Sequence, residues 1–431
     1  MSGARAAVIG GGLSGALQAI HLLRAGAAHV TLIERSHRPG RGVAYSTVRP
    51  EHLLNVPARR MSAIPDDPDH FVRWFATRGG TAEDFAPRML YGDYVEEQLA
   101  DTGEGVEILR GEAIDVLGGE VLLRDGRRIA AAAVVLAPGN LPPAPLRGID
   151  PGQLGARWVG DPWASALAEG LGDGDTVLLL GTGLTAVDAA LTLDAAGFRG
   201  RIIALSRRGL APRAHAAREP MTAPQEALPA RSVALLRRLR ARAREVGWRS
   251  AVHELRTVTQ TIWAAASTGE RRRFLRHLRP WWDVHRHRIA PAVAARIEAM
   301  EREGRLRFAA GRILTATSAG TVRWQPRGSE GVEEIEAARI VNCTGPELDI
   351  VRAGEPLLEA LLASGRIRPD PLRIGIDVDQ ECRTIGADGA PSDSLYAIGP
   401  VTRGRFWESV AVPDIRVQAQ AVALRIVGRG G

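Results

Sequence analysis

The chain has 431 residues, 45% hydrophobic and 24% charged, which is ordinary for a soluble globular protein with room for two or more cores. Its net charge of +7 is carried by arginine alone; lysine is absent, which excludes Schiff-base chemistry and a lysine general base. Two distant cysteines, Cys343 and Cys382, exclude a disulfide framework and a thiolate zinc site, and no apolar run approaches the roughly 18 residues of a membrane span.

The chain enters an apolar strand within a few residues, without the flanks of a signal peptide, so a cytoplasmic location is expected. No metal, membrane or nucleic-acid partner is expected. The basic balance suits phosphate-bearing small molecules instead.

Residues 5–33 read as a βαβ unit. RAAVIG is a buried strand, the glycine-rich turn runs into a helix that stops at Gly26, and HVTLIE is a second strand ending in Glu34. Gly10, Gly12 and Gly15 stand in GxGxxG spacing, for the tight turn, the close approach of a pyrophosphate and the close packing of helix on strand. Leu13 and Ser14 open a helix whose unpaired N–H groups and dipole favour phosphate. Glu34 stands where an acid binds a ribose hydroxyl.

A second glycine-bearing loop follows, with Arg35, Arg41 and Gly42 placed to run beside an extended cofactor. The strand at 131–140 ends in Pro138 and Gly139, as at a crossing between two nucleotide domains. Together these favour FAD in this half.

A second βαβ unit starts at residue 175. Gly181, Gly183 and Ala186 give GxGxxA, with Thr182, Leu184 and Thr185 at the turn and helix start. Its second strand ends in Ser206, Arg207 and Arg208 rather than an acid. Arginine pairs bidentately with a 2′-phosphate, so NADPH is favoured over NADH. Arg213 and His215 come next and are candidates for cofactor or substrate.

Residues 216–303 read as an arginine-rich helical region with leucine and aromatic residues at helical spacing. Within it WWDVHRHR (281–288) is unusually dense; His285 and His287, two apart, face different sides of a helix and do not suit a shared metal. Strands resume after Gly304. ARIVNCTG, from residue 338, reads as the mate of the earlier crossing strand, with Cys343 as a small buried residue. A glycine turn at Gly399 and Gly404 then leads into a last helix near Val412, whose N-terminus suits the pyrimidine edge of a flavin.

The expected fold is therefore α/β, with two Rossmann-like dinucleotide-binding domains and an added helical region. The expected domains are 1–155 for the first FAD piece, 156–215 for NADPH, 216–303 for helices packed on the NADPH domain, and 304–431 for the second FAD piece.

The segments GRGVAYS (40–46), HLLNVPARRMSAIPDDPDHFVRWF (52–75), PRMLYGDYV (87–95), SRRGLAPRAH (206–215) and AIGPVTRGRFWESVAVPDIR (397–416) extend the argument. With them the chain resembles a bacterial family of FAD/NAD(P)-binding proteins. That family includes FAD-dependent urate hydroxylases and nitrosuccinate-forming L-aspartate N-monooxygenases. The stretch 52–67 also resembles the flavin-flanking segment of N-hydroxylating monooxygenases; it is too polar and proline-rich for a regular element and suits an ordered loop. It places Asn55 and Val56 by the cofactor and His52 and Arg60 within reach of substrate.

The resemblance implies an NADPH-dependent monooxygenase acting with O2 on a small polar, nitrogen-containing metabolite, an amino acid or a purine-like molecule. NADPH reduces FAD, and the hydroperoxide formed with O2 passes one oxygen to the substrate. Arg213, His215, Arg403 and Arg405 are the candidates for holding a carboxylate or a urate-like anion. The alternative is an NADPH-dependent reductase passing electrons to a protein or quinone. A flavin disulfide reductase needs a close cysteine pair near the first helix, and residues 1–150 have no cysteine.

Overall fold

The computed structural model describes residues 5–163, 167–216, 224 and 227–429. Two sheets, parallel except at one edge of each, organise it. The first has six strands, running from Val106–Arg110 through His29–Glu34, Arg5–Ile9, Ala133–Leu136 and Pro391–Ala397 to Arg383–Ile385. The second has seven, with Thr176–Leu180 flanked by Arg201–Ser206 and Arg339–Asn342. An antiparallel meander of three short strands, from Ala113 to Ala130, follows the first sheet's edge strand.

Each sheet is built on the same local rule. A run of buried aliphatics, AVI at 7–9 and VLLL at 177–180, forms a central strand covered on both faces, as a parallel sheet requires. The helix Leu13–Arg24 covers the first and Leu184–Ala195 the second. The closing helix Val412–Arg429 packs along Leu13–Arg24, so the C-terminal end of the chain completes the first core.

Two boundaries differ from the sequence reading. Strand Leu306–Ala316 pairs with Arg201–Ser206, and Arg339–Asn342 pairs with Thr176–Leu180. The second dinucleotide domain therefore extends to about residue 343, and the return to the first sheet begins after it rather than at 304. The strand pattern was legible, but which sheet each strand joins depends on pairing partners far away in sequence.

The helical region is also divided. Pro291–Arg302 packs on the second domain, against Leu184–Ala195 and Leu306–Ala316. The long helix Ser232–Ala265, broken at Gly247 (φ 79°), sits instead on the returning C-terminal piece. Trp263 and Trp407 stack with ring centroids 4.6 Å apart, and Trp263 Nε1 donates to the Gly404 carbonyl at 3.0 Å. Gln260 clamps the same segment, donating to the Arg405 carbonyl and accepting from Trp407 N.

The outer strand of the second sheet, Glu333–Glu336, pairs on one side only, with Thr321–Pro326. It buries Ile335 and exposes Glu333, Glu334 and Glu336. Among the described residues no helix is long and apolar enough to cross a membrane.

Candidate functional site

At the first glycine turn the three positions are fixed by contact. Gly10 has φ +99°, and a Cβ there would lie 2.3 Å from the carbonyl oxygen of Ala137, which follows the strand Ala133–Leu136 and precedes Pro138 and Gly139. A Cβ on Gly15 would lie 1.7 Å from the Gly10 oxygen. Gly12 caps the helix with no side-chain hydrogen bond, leaving the first-turn N–H groups beside Leu13 and Ser14 to a ligand. Glu34 folds against the turn: one oxygen accepts from Gly11 N at 2.5 Å and the other from Ser36 N at 2.6 Å. A carboxylate oxygen holds further lone pairs, so a ribose hydroxyl still has acceptors here.

The loop after Glu34 does lie on the turn. Gly40 N donates to the Gly11 carbonyl at 2.7 Å, and a Cβ on Gly42 would come within 3.2 Å of the Gly12 Cα. Gly399, at φ +75°, closes the other side, where a Cβ would meet Ser14 Oγ at 2.5 Å. Val412 starts the closing helix, buried. Glycine at all of these points keeps a narrow backbone cradle open, and an extended dinucleotide such as FAD fits it.

Arg41 is a correction. Its guanidinium points away from the turn into the helix Arg88–Ala100, paired with Asp93 and Glu96 and donating to the Met89 carbonyl at 3.2 Å. It is a buried pin, 2% exposed, rather than a cofactor ligand. Arg35 is exposed and paired with Glu355.

The second turn repeats the first. A Cβ on Gly181 would lie 2.2 Å from the Cys343 carbonyl oxygen, the counterpart of Ala137. Gly183 caps the helix without a side-chain bond and has open space around it; Leu184 and Thr185 are half-buried behind it. Thr182 is not free for a ligand as expected: its hydroxyl donates to the Leu210 carbonyl at 2.6 Å and sits 2.9 Å from Ser206 Oγ. Arg207 is exposed and Arg208 half-exposed, and neither has an ion-pair partner among the described residues.

Between the turns lies the irregular segment from residue 52. His52 is the second correction. It is fully buried; Thr47 Oγ1 donates to its Nδ1 at 2.9 Å, and its Nε2 donates to the Asp188 carbonyl at 3.2 Å and lies 2.9 Å from Thr192 Oγ1. Burial holds its imidazole below the ordinary range. It joins domains and is not presented to a substrate. Asn55 and His215 do meet: His215 Nε2 donates to the Asn55 carbonyl at 2.9 Å, with Val56 half-buried beside it. Arg60 turns to His253, 3.2 Å away, and Arg213 is exposed, tied through its backbone to Val284 and Ile289.

A buried ionic cluster forms where 279–288 meets 403–414. Arg286 pairs with Glu408 at 2.8 Å, with both side chains under 10% exposed, and Arg256 pairs with Asp414 at 2.8 Å. Arg403 lies among them, stacked on Trp407 with its guanidinium carbon 4.8 Å from the ring centroid. Its Nε is buried with no hydrogen-bond partner. Burial, with Arg279 nearby, pulls it down to about 10. The same burial, with Arg286, Arg403 and Arg279 around it, keeps His287 well below its ordinary value and neutral, and it pushes Asp283 up. Arg405 is half-buried next to this cluster. Sequence reading singled out Arg403 and the dense run 281–288, but not Arg279 or the pairing of Arg286 with Glu408. Alternating charge and aromatics in WWDVHRHR were the signal, and only the fold brings residue 408 to residue 286.

Residues 7–141 match the NAD_binding_9 family, described as FAD-NAD(P)-binding. Among curated proteins none matches the chain. An ornithine N-hydroxylase of Kutzneria sp. 744, solved with reduced FAD, NADP+ and L-ornithine, is 15% identical over 100% of both chains, with a TM-score of 0.69. An ornithine hydroxylase of Pseudomonas aeruginosa is 16% identical over 99% of each, with a TM-score of 0.66. A bacillithiol disulfide reductase of Bacillus cereus, also 16% identical over 99% of each, gives 0.57. The chain shares their fold. It consists of two Rossmann-like dinucleotide-binding domains with added helices.

Cys343 and Cys382 stand apart from any disulfide chemistry. Both are buried and free, Cys343 just after the strand Arg339–Asn342 and Cys382 just before the edge strand Arg383–Ile385, and burial pushes both thiols up, Cys382 to about 12. Such thiols are inert.

Proposed function

We propose that the protein is a flavin-dependent oxidoreductase that binds FAD at Gly10–Gly15 and NADPH at Gly181–Ala186 and hydroxylates a small, anionic, nitrogen-containing metabolite with O2. An amino acid or a purine-like molecule fits that description. The glycine turns, Glu34 and the uncapped helix starts support the two cofactors, and Arg207 and Arg208 support the 2′-phosphate. The ornithine hydroxylases with this fold carry an equivalent cofactor pair in one case, and act on amino acids by name.

Bound FAD supplies the redox and oxygen chemistry. The chain's part is binding, orientation and exclusion of water. Arg403 carries the proposal of a small-molecule substrate. A buried guanidinium nitrogen without a hydrogen-bond partner is costly, and a substrate carboxylate or a urate-like anion relieves that cost. Neutral His287 beside it adds a hydrogen-bonding group without adding charge.

Rapid mixing tests this reading. Protein reduced by NADPH and mixed with oxygenated buffer is expected to show an oxygen-dependent absorbance transient that decays faster with an amino acid or purine from a substrate panel. Immediate reoxidation under all conditions, with electrons passed to a quinone or a protein, overturns it. Arg403→Met is expected to raise the substrate KM by about 10- to 100-fold, the range of a lost charged hydrogen bond, with flavin reduction unchanged.

A further inference from the structure

Domains that share a chain ordinarily move relative to one another unless their interface is large and apolar. Here a polar joint ties them at one place. Asp188 lies on the second glycine helix, five residues past Gly183, and is 4% exposed. Arg88, the first residue of helix Arg88–Ala100 in the other domain, grips it bidentately, Nη1 to Oδ2 at 2.6 Å and Nη2 to Oδ1 at 3.1 Å. Trp163 Nε1 reaches the same carboxylate at 3.4 Å.

The grip continues into the segment between the nucleotide turns. Arg88 Nε donates to the Leu53 carbonyl at 3.1 Å, and its backbone N donates to the His52 carbonyl at 2.8 Å. His52 in turn holds the Asp188 carbonyl and Thr192 on the helix that carries Asp188. Three residues later Asn55 accepts from His215. Residues 52–55 are thus fastened at both ends to the second domain while they belong to the first.

A buried ion pair is a poor source of stability, because desolvation offsets its attraction, but a bidentate pair is directional and fixes register. We propose that Asp188, Arg88 and His52 are positioning residues. They lock the second glycine helix against the segment 52–57 in one stance, so that the nicotinamide is delivered to the flavin without rotation of one domain on the other. This rests on the two-cofactor reading above. Its physical basis is that hydride transfer needs the reacting atoms about 3–3.5 Å apart, where a displacement of about 1 Å costs on the order of 100-fold in rate.

The test uses the full-length holoprotein. Asp188→Asn and Arg88→Met are expected to slow flavin reduction at saturating NADPH at least ~10-fold while the half-saturating NADPH concentration stays within about 2-fold. Arg88→Lys is expected not to rescue, since a point charge cannot reproduce the fork. Amide hydrogen exchange across 52–57 and 184–195 is expected to rise in each variant. If a single variant fails to fold, the apolar pair Arg88→Met with Asp188→Leu, which leaves no buried charge, replaces it. Unchanged exchange in folded variants overturns the joint whatever the rate does, and so does a wild-type reduction rate. Failure of NADPH to bleach the wild-type flavin counts against the functional reading instead, and exchange alone then judges the joint.

Discussion

The two dinucleotide domains solve one geometric problem and diverge on everything around it. In both, the first glycine faces the end of a crossing strand, Gly10 against Ala137 and Gly181 against Cys343, and a Cβ would sit within 2.3 Å of a carbonyl oxygen. The third position differs. Gly15 leaves no room for a methyl group, whereas the second domain carries Ala186, buried without conflict. The second strands differ too, ending in Glu34 in one and in Ser206, Arg207 and Arg208 in the other. The turn is thus set by the backbone that crosses it. The choice of nucleotide is left to the helix packing and to the residue at the strand's end.

Swapping the third position should give the largest effect. Gly15→Ala puts a Cβ into the Gly10 carbonyl, a backbone atom that cannot give way, and is expected to abolish FAD retention or folding, read as flavin absorbance per protein. Ala186→Gly, the mirror change, is expected to cost only about 1 kcal/mol in thermal stability, the price of glycine inside a helix. Similar losses from both would mean the two turns are under the same constraint.

Replacing Arg207 and Arg208 together with alanine tests the strand ends. The expected outcome is a KM for NADPH raised about 10-fold or more with that for NADH nearly unchanged, since only the 2′-phosphate loses its partners. Equal changes for both nucleotides would place the phosphate elsewhere.

The smallest effect concerns pH. His21 and His52 in the first domain are held below 6.5, first by burial, as is His287, with the surrounding arginines adding to it. Their unfolded forms bind protons near 6.5, so their stabilising contribution is complete above about that pH and is lost as pH falls toward the lowered folded values. Melting temperature is expected to drop between pH 7.5 and 5, and His52→Gln to lose part of that slope. A variant as acid-sensitive as the wild type would remove His52 from the account.

Much of this was readable in the chain. The glycine spacings, the acid or arginines at the strand ends and the crossing strands are local patterns, and each appears where the spacing put it. Sequence reading failed where partners are distant. Arg41 sits in a glycine-rich loop and looks like a phosphate ligand, yet Asp93 and Glu96, half a domain away in sequence, claim it. His52 reads as a substrate contact because polar residues in a proline-rich loop usually face solvent or ligand, yet partners about 140 positions on hold it. The strands between 304 and 343 were assigned to the wrong sheet for the same reason. Alternation reveals a strand without naming its neighbour.

The outer strand Glu333–Glu336 has a consequence of its own. An unpaired strand edge is a template on which further copies can add, and many proteins guard it with lysine. This chain has none. Three exposed glutamates take that role, so two such edges brought together carry like charge, which disfavours extension of the second sheet by another copy.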